Sequence, residues 1–280
     1  MLMKLSVIGQ RLTSTFLPDE RQGDGSFGLF EAGLLVVVAV GLTLIQFVGS
    51  EMTFMAWYGE MLAPGAHAYL EKTAPELAAF AGPKDHPYYE LFGLLHWVLF
   101  CILGFVVLPV LYLKMTGRRV GDMYLGFSGF RRHARIYFVL YILVMIPVVA
   151  VSYSAEYQQI YPFYPHADRS FFDLLAWELA YGLQFFALEF MFRGFMLAGL
   201  RKWLGIGAIF VMILPYCMLH FQKTGSESLG AIIAGILLGG LAMRYRSIWG
   251  GVFLHWLVAI SMDVLSLAHQ GRLPRSLFGP

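Results

Sequence analysis

Apolar residues fall in seven long runs separated by polar stretches. The runs are Leu29 to Val48, Leu91 to Leu113, Ile136 to Val151, Phe171 to Leu200, Ile206 to Leu219, Leu229 to Met243 and Ile248 to Leu267. Most approach the ~20 residues that carry a helix across a bilayer. In lipid, a helix also satisfies its own backbone polar groups. The pattern predicts an all-α fold: a polytopic integral membrane bundle of about seven transmembrane helices. Pro109 and Pro147 lie inside two runs, and Pro215 is expected to break the fifth. Neighbouring helices can absorb such interruptions. The Phe171 run is longer than a bilayer requires, so it should tilt or protrude. Ala231, Gly235 and Gly239 form a small-residue stripe on the sixth run, which favours close helix approach.

The polar stretches suggest an orientation. Residues 1–28 are mixed and polar, with a short amphipathic helix expected near Leu2 to Leu12. Met52 to Phe80 intersperses Trp57, Tyr58 and Tyr69 with Glu60, Glu71 and Glu76. That mixture suits the interface rather than a span, with re-entry as the alternative. Gly82 to Pro87 reads as a loop by its breakers. Lys114 to Arg135 sets Lys114, Arg118, Arg119, Arg131, Arg132 and Arg135 against Asp122 alone. This basic loop should be cytoplasmic, as should Arg201 with Lys202 and Arg244 with Arg246. The N-terminus is then inside and the C-terminus outside. Tyr157 to Asp168, rich in Tyr and Pro, becomes an outer loop whose aromatics suit the interface. One transmembrane domain is expected over 1–280, with N-terminal spans and an interfacial segment in 1–170 and core helices in 171–268.

Composition agrees with the pattern. The chain of 280 residues is 58% hydrophobic and 14% charged, against about 25% charged in soluble domains. A net charge of +2 without a dense basic cluster gives no sign of nucleic acid. Cys101 and Cys217 both sit in apolar runs and suit reduced, buried thiols. The N-terminus lacks the compact apolar segment of a cleavable signal. The bilayer itself is therefore the first partner.

Four ionisable residues stand inside or at the ends of the last runs: Glu189, Arg193, His220 and His255. Glu189 and Arg193 are four apart and share a helix face. Such residues at membrane depth usually face a bundle interior, pair, and mark function. A structural ion pair locking two helices would explain the first two equally well. A lone membrane histidine is more often structural than catalytic. Two histidines with a Glu–Arg pair on three helices point instead to water activation. A poorly solvated carboxylate can act as general base. Histidines can orient the water or donate to an oxyanion. Zinc held by Glu189, His220 and His255 is possible in principle, although the HExxH pairing is absent. No cofactor is expected. Cys217 lies one turn before His220, where core packing is the simpler role.

The order Glu189-x-x-x-Arg193, Tyr216-x-x-x-His220 and His255 resembles the CPBP family. These are the CAAX-processing and bacteriocin-processing type membrane proteins, also called glutamic intramembrane proteases. Phe192-Arg-Gly-Phe195 and Arg246-Ser-Ile-Trp-Gly250 agree with it. The resemblance covers about residues 185 to 263. It implies a helical bundle whose Glu and His residues activate water to cleave a peptide bond near the membrane surface. Catalytic Glu189, His220 and His255 follow, supported by Arg193 and Tyr216. Two positions depart from the family pattern. Leu188 stands where the family has the first of two Glu residues. Ala259 stands where it often has Asn or Asp; the next acid is Asp263. Either Glu189 is the base, or Glu178 three turns earlier takes the role, or the protein is not a protease. The single Glu, the Trp after the last His and the later Asp are similar to the myxosortase-like branch, which is associated with C-terminal sorting tails of exported proteins.

The expected function is thus an intramembrane endopeptidase acting on a membrane-anchored protein in a bacterial inner membrane. The alternative is a non-catalytic scaffold or immunity protein of the same fold, favoured by Leu188 and Ala259. A transporter is a distant third, since no inverted repeat is visible.

Overall fold

The protein is described by a computed structural model over residues 25–62, 86–221 and 223–279. Nine helices follow in chain order among these residues. They are α1 (Leu29–Val48), α2 (Glu51–Leu62), α3 (Tyr89–Met115), α4 (Phe127–Val151), α5 (Ala155–Ile160), α6 (Phe171–Leu204), α7 (Gly207–Met218), α8 (Gly225–Tyr245) and α9 (Trp249–His269). The described residues hold no strand, only one isolated bridge between Leu125 and Ser247.

Six helices, α1, α3, α4, α6, α8 and α9, are long and apolar enough to cross a membrane. The fifth expected span, α7, is not among them: it has 12 residues and is about 18 Å long at 1.5 Å per residue. It does not break at Pro215 but continues through it to Met218. The turn after α7 is tied to the segment that follows α5, where Lys223 Nζ donates to Tyr161 Oη at 3.1 Å. Other boundaries also move. Arg131, Arg132 and Arg135 belong to the first turns of α4 rather than to a loop, because exposed Arg side chains are compatible with a helix end at the interface. The expected amphipathic helix near Leu2 to Leu12 lies outside the described residues, as do residues 63–85 of the interfacial and loop stretches.

The segment between α5 and α6 also differs from its sequence reading. Tyr161, Tyr164 and Ala167 are buried in the bundle rather than lying at an interface. Phe163 stacks on Trp177 with centroids 5.5 Å apart. Its backbone N–H donates to Asp263 Oδ1 at 2.9 Å. Burial of aromatic surface, together with a buried acceptor for the loop backbone, draws the segment inward.

Two seams position the interior. On α8, Gly235 lies against Ile213 and Tyr216, and Gly239 against Met212 and Ile209, both on α7. The small-residue stripe therefore brings α7 and α8 together. Between α6 and α9, Gly182 accepts the ring of Trp256, whose Nε1 donates to the Glu178 carbonyl at 2.7 Å. Helix α6 itself widens into a π turn over Phe190–Leu197, all of it buried. Such turns are frequently found at functional sites.

Candidate active site

Glu189 ends the first α-helical part of α6, and Arg193 follows inside the π turn. Both side chains are fully buried. Arg193 Nη1 is 3.1 Å from Glu189 Oε1. The guanidinium carbon also sits 4.0 Å from the centre of the Tyr216 ring, a cation–π contact that offsets part of the charge's desolvation. The carboxylate presses against bare backbone on α9. A Cβ at Gly251 would lie 2.2 Å from Glu189 Oε2, so only glycine permits this approach.

His255 lies one turn beyond Gly251 and reaches the same carboxylate. Its Nδ1 is 2.9 Å from Glu189 Oε1. Its Nε2 is 2.9 Å from the Tyr216 hydroxyl. The ring stacks on Phe185, centroids 5.6 Å apart. Glu189, Arg193, Tyr216 and His255 thus close a ring of contacts among α6, α7 and α9. Contact is not full satisfaction, however. Both Glu189 oxygens, all three guanidinium nitrogens of Arg193 and His255 Nδ1 lack an aligned hydrogen-bond partner. Buried polar atoms left in this state are unusual and call for an explanation.

His220 joins from the turn after α7. Its Nδ1 donates to the Tyr216 carbonyl at 3.0 Å, since a carbonyl can only accept. Its ring meets the Tyr216 ring edge-on, centroids 5.0 Å apart. Burial pushes the imidazole down to about 4; nearby Lys223, His255 and Arg193 act in the same direction, against the hydrogen bond to Tyr216. Neutral His220 therefore keeps Nε2 as an acceptor.

Glu178 and Asp263 form a separate polar region. Glu178 is on the same face of α6, about 16 Å from Glu189 at 1.5 Å per residue. Its electrostatic neighbour is Asp263. Asp263 accepts from the Phe163 backbone and from Trp177 Nε1, the latter at 3.2 Å, and so fastens the inward-folded loop to α9. Lys223 borders this region, with Nζ 3.9 Å from Glu227. Burial holds its ammonium below the ordinary lysine range, against the pull of Glu227 and Asp263. The structure thus brings Glu189, Arg193, Tyr216, His220 and His255 together, and sets Glu178 and Asp263 apart. Leu188 packs in the main hydrophobic core and Ala259 beside Trp177 and Tyr181, so neither departure offers a polar group. The Gly251 approach was missed by sequence reasoning; its only sequence signal is a glycine pair one turn before His255. Among the described residues, no group of three His, Cys, Asp or Glu side chains is arranged to hold a metal ion. Both cysteines are free.

Residues 170–261 match one family model, that of the Rce1-like proteins, type II CAAX prenyl endopeptidase Rce1-like. Residues 170–261 are thus similar to the Rce1-like family, one of the CPBP proteins. The Rce1-like segment takes in α6, α7, α8 and most of α9. It contains Glu189, Arg193, Tyr216, His220 and His255 and stops short of Asp263. No curated protein and no solved structure matches the chain. The Rce1-like family is a membrane protease family, and the six long apolar helices make the present chain an integral membrane protein.

Proposed function

We propose that the protein is an intramembrane endopeptidase of glutamic type, with Glu189 as general base. Its substrate class is a membrane-anchored protein, cut in or near a C-terminal tail. The observation that carries this reading is the contact of one buried carboxylate with both Arg193 and His255 at 3.1 and 2.9 Å. Arg193 holds the carboxylate in place by its ion pair. Glu189 takes one proton from a water molecule as the water oxygen attacks the peptide carbonyl carbon. His220 Nε2 accepts a hydrogen bond from the second water hydrogen and orients it. The oxyanion that forms is stabilised by the guanidinium, the nearest buried cation. When the C–N bond breaks, Glu189 returns the proton to the leaving amine. The products are a new carboxyl group and a new amino terminus.

The test is cleavage of internally quenched peptides with an apolar C-terminal anchor, in proteoliposomes. His220→Ala and His255→Ala should each lose about 10²–10⁴-fold in rate. Combining either with Glu189→Gln should add little, because residues acting as one unit are not additive. A scaffold reading is favoured by the apolar burial of Leu188 and Ala259. Under it, no polar substitution alters function, whereas Gly235→Leu, which separates α7 from α8, does.

A further inference from the structure

We infer that Tyr216 is a positioning residue whose hydroxyl holds His255 in one tautomer, with the proton on Nδ1, the nitrogen 2.9 Å from Glu189 Oε1. The inference rests on the peptidase reading for its consequence, but its geometry stands apart from it. His255 is contacted at both ring nitrogens: Glu189 Oε1 at Nδ1 and Tyr216 Oη at Nε2, each at 2.9 Å. Neutral imidazole has one N–H and one lone pair. A carboxylate ion-paired with Arg193 only accepts, so a lone pair on Nδ1 at 2.9 Å would repel it, whereas an N–H there is attracted to it even without full alignment. The proton therefore belongs on Nδ1, and Nε2 must accept. Tyr216 is the group in place to donate to it. A phenylalanine would fill the same space and keep the ring under Arg193, yet leave Nε2 unfixed. The hydroxyl is thus the part of Tyr216 that packing does not explain.

Three further contacts keep that hydroxyl in register. The Tyr216 ring is only 1% exposed. Its face carries Arg193 at 4.0 Å, and it lies against Gly235, where a Cβ would be 3.5 Å from its Cδ1. Tyr216 also presents its carbonyl to His220 Nδ1. One residue therefore sets the ring orientation of both histidines, through its hydroxyl for His255 and its backbone for His220.

The test uses ring-¹⁵N histidine NMR on the full chain in lipid nanodiscs at about pH 8, above the ordinary imidazole range of ~6.5. His255→Gln identifies the signal. The wild type should show His255 protonated at Nδ1, with Nε2 shifted as a hydrogen-bonded acceptor. Tyr216→Phe should lose that acceptor shift and admit the second tautomer, while the other histidine signals report an intact fold. In the peptide assay the same variant should lower kcat about 10- to 100-fold, the equivalent of one hydrogen bond to a charged network, with KM within about twofold. An Nε2–H tautomer in the wild type, or a His255 signal unchanged by Tyr216→Phe, overturns the inference. The expected NMR result combined with no cleavage by the wild type supports the tautomer assignment and counts against the peptidase reading alone.

Discussion

At the scale of residues, what could be read in advance was charge placed where it is unfavourable. Glu189, Arg193 and His255 stood out because apolar runs rarely carry them without a role. The hydroxyl of Tyr216 could not be read in the same way. Its spacing from His220 placed the two near each other, but its contact with His255 depends on how α7 and α9 pack. His220 makes the residue scale testable through pH. Burial lowers its folded pKa to about 4, while an unfolded histidine titrates near 6.5. Between those values the unfolded chain binds the additional proton, so stability falls as pH drops from about 6.5 towards 4 and levels off below that. Thermal unfolding of wild type against His220→Gln should show this acid loss only in the wild type. Parallel profiles for the two proteins would show that His220 is not held neutral.

Elements were largely legible, because period and length suffice to find helices in apolar runs. The exceptions have physical causes. Helix α7 is too short to span by itself, yet its composition is as apolar as that of its longer neighbours, so hydropathy could not mark it off. The Tyr161 loop has an interfacial composition but is drawn inside by Trp177 and Asp263, partners more than ten residues away in sequence. The π turn in α6 left no pattern in the sequence, since its residues are apolar on all sides apart from Arg193. The α6–α9 seam carries the prediction at this scale. Gly251→Ala would place a methyl group 2.2 Å from Glu189 Oε2. The expected cost is about 1–3 kcal/mol of overpacking, with loss of most activity as the carboxylate is displaced. Gly271→Ala is the control for glycine loss, because no atom lies within 4 Å of a Cβ there; its positive φ of 67° adds strain without touching the site. Full activity in Gly251→Ala would contradict the proposed position of Glu189.

For the whole molecule, α4 connects the basic end of the bundle, where Arg118, Arg119 and Arg131 gather, to the end that holds the Tyr161 loop. The charge bias then predicts that the second end faces outward. In a background with Cys217→Ser, a cysteine in place of the half-exposed His166 should react with an impermeant maleimide in intact cells. Reaction only after lysis would invert the protein and place the Lys223 turn on the cytoplasmic side.

The central claim concerns which carboxylate acts on water, and α6 offers two on one face. Glu189 touches Arg193 and His255; Glu178 lies three turns away beside Asp263. The most direct measurement is the rate of peptide cleavage by Glu189→Gln and Glu178→Gln in the same proteoliposomes, each checked for insertion and thermal stability. The account predicts a loss of about 10²–10⁴-fold or more for Glu189→Gln, the range of general-base catalysis, and activity within about tenfold of wild type for Glu178→Gln. Cleavage retained by Glu189→Gln and abolished by Glu178→Gln would contradict it.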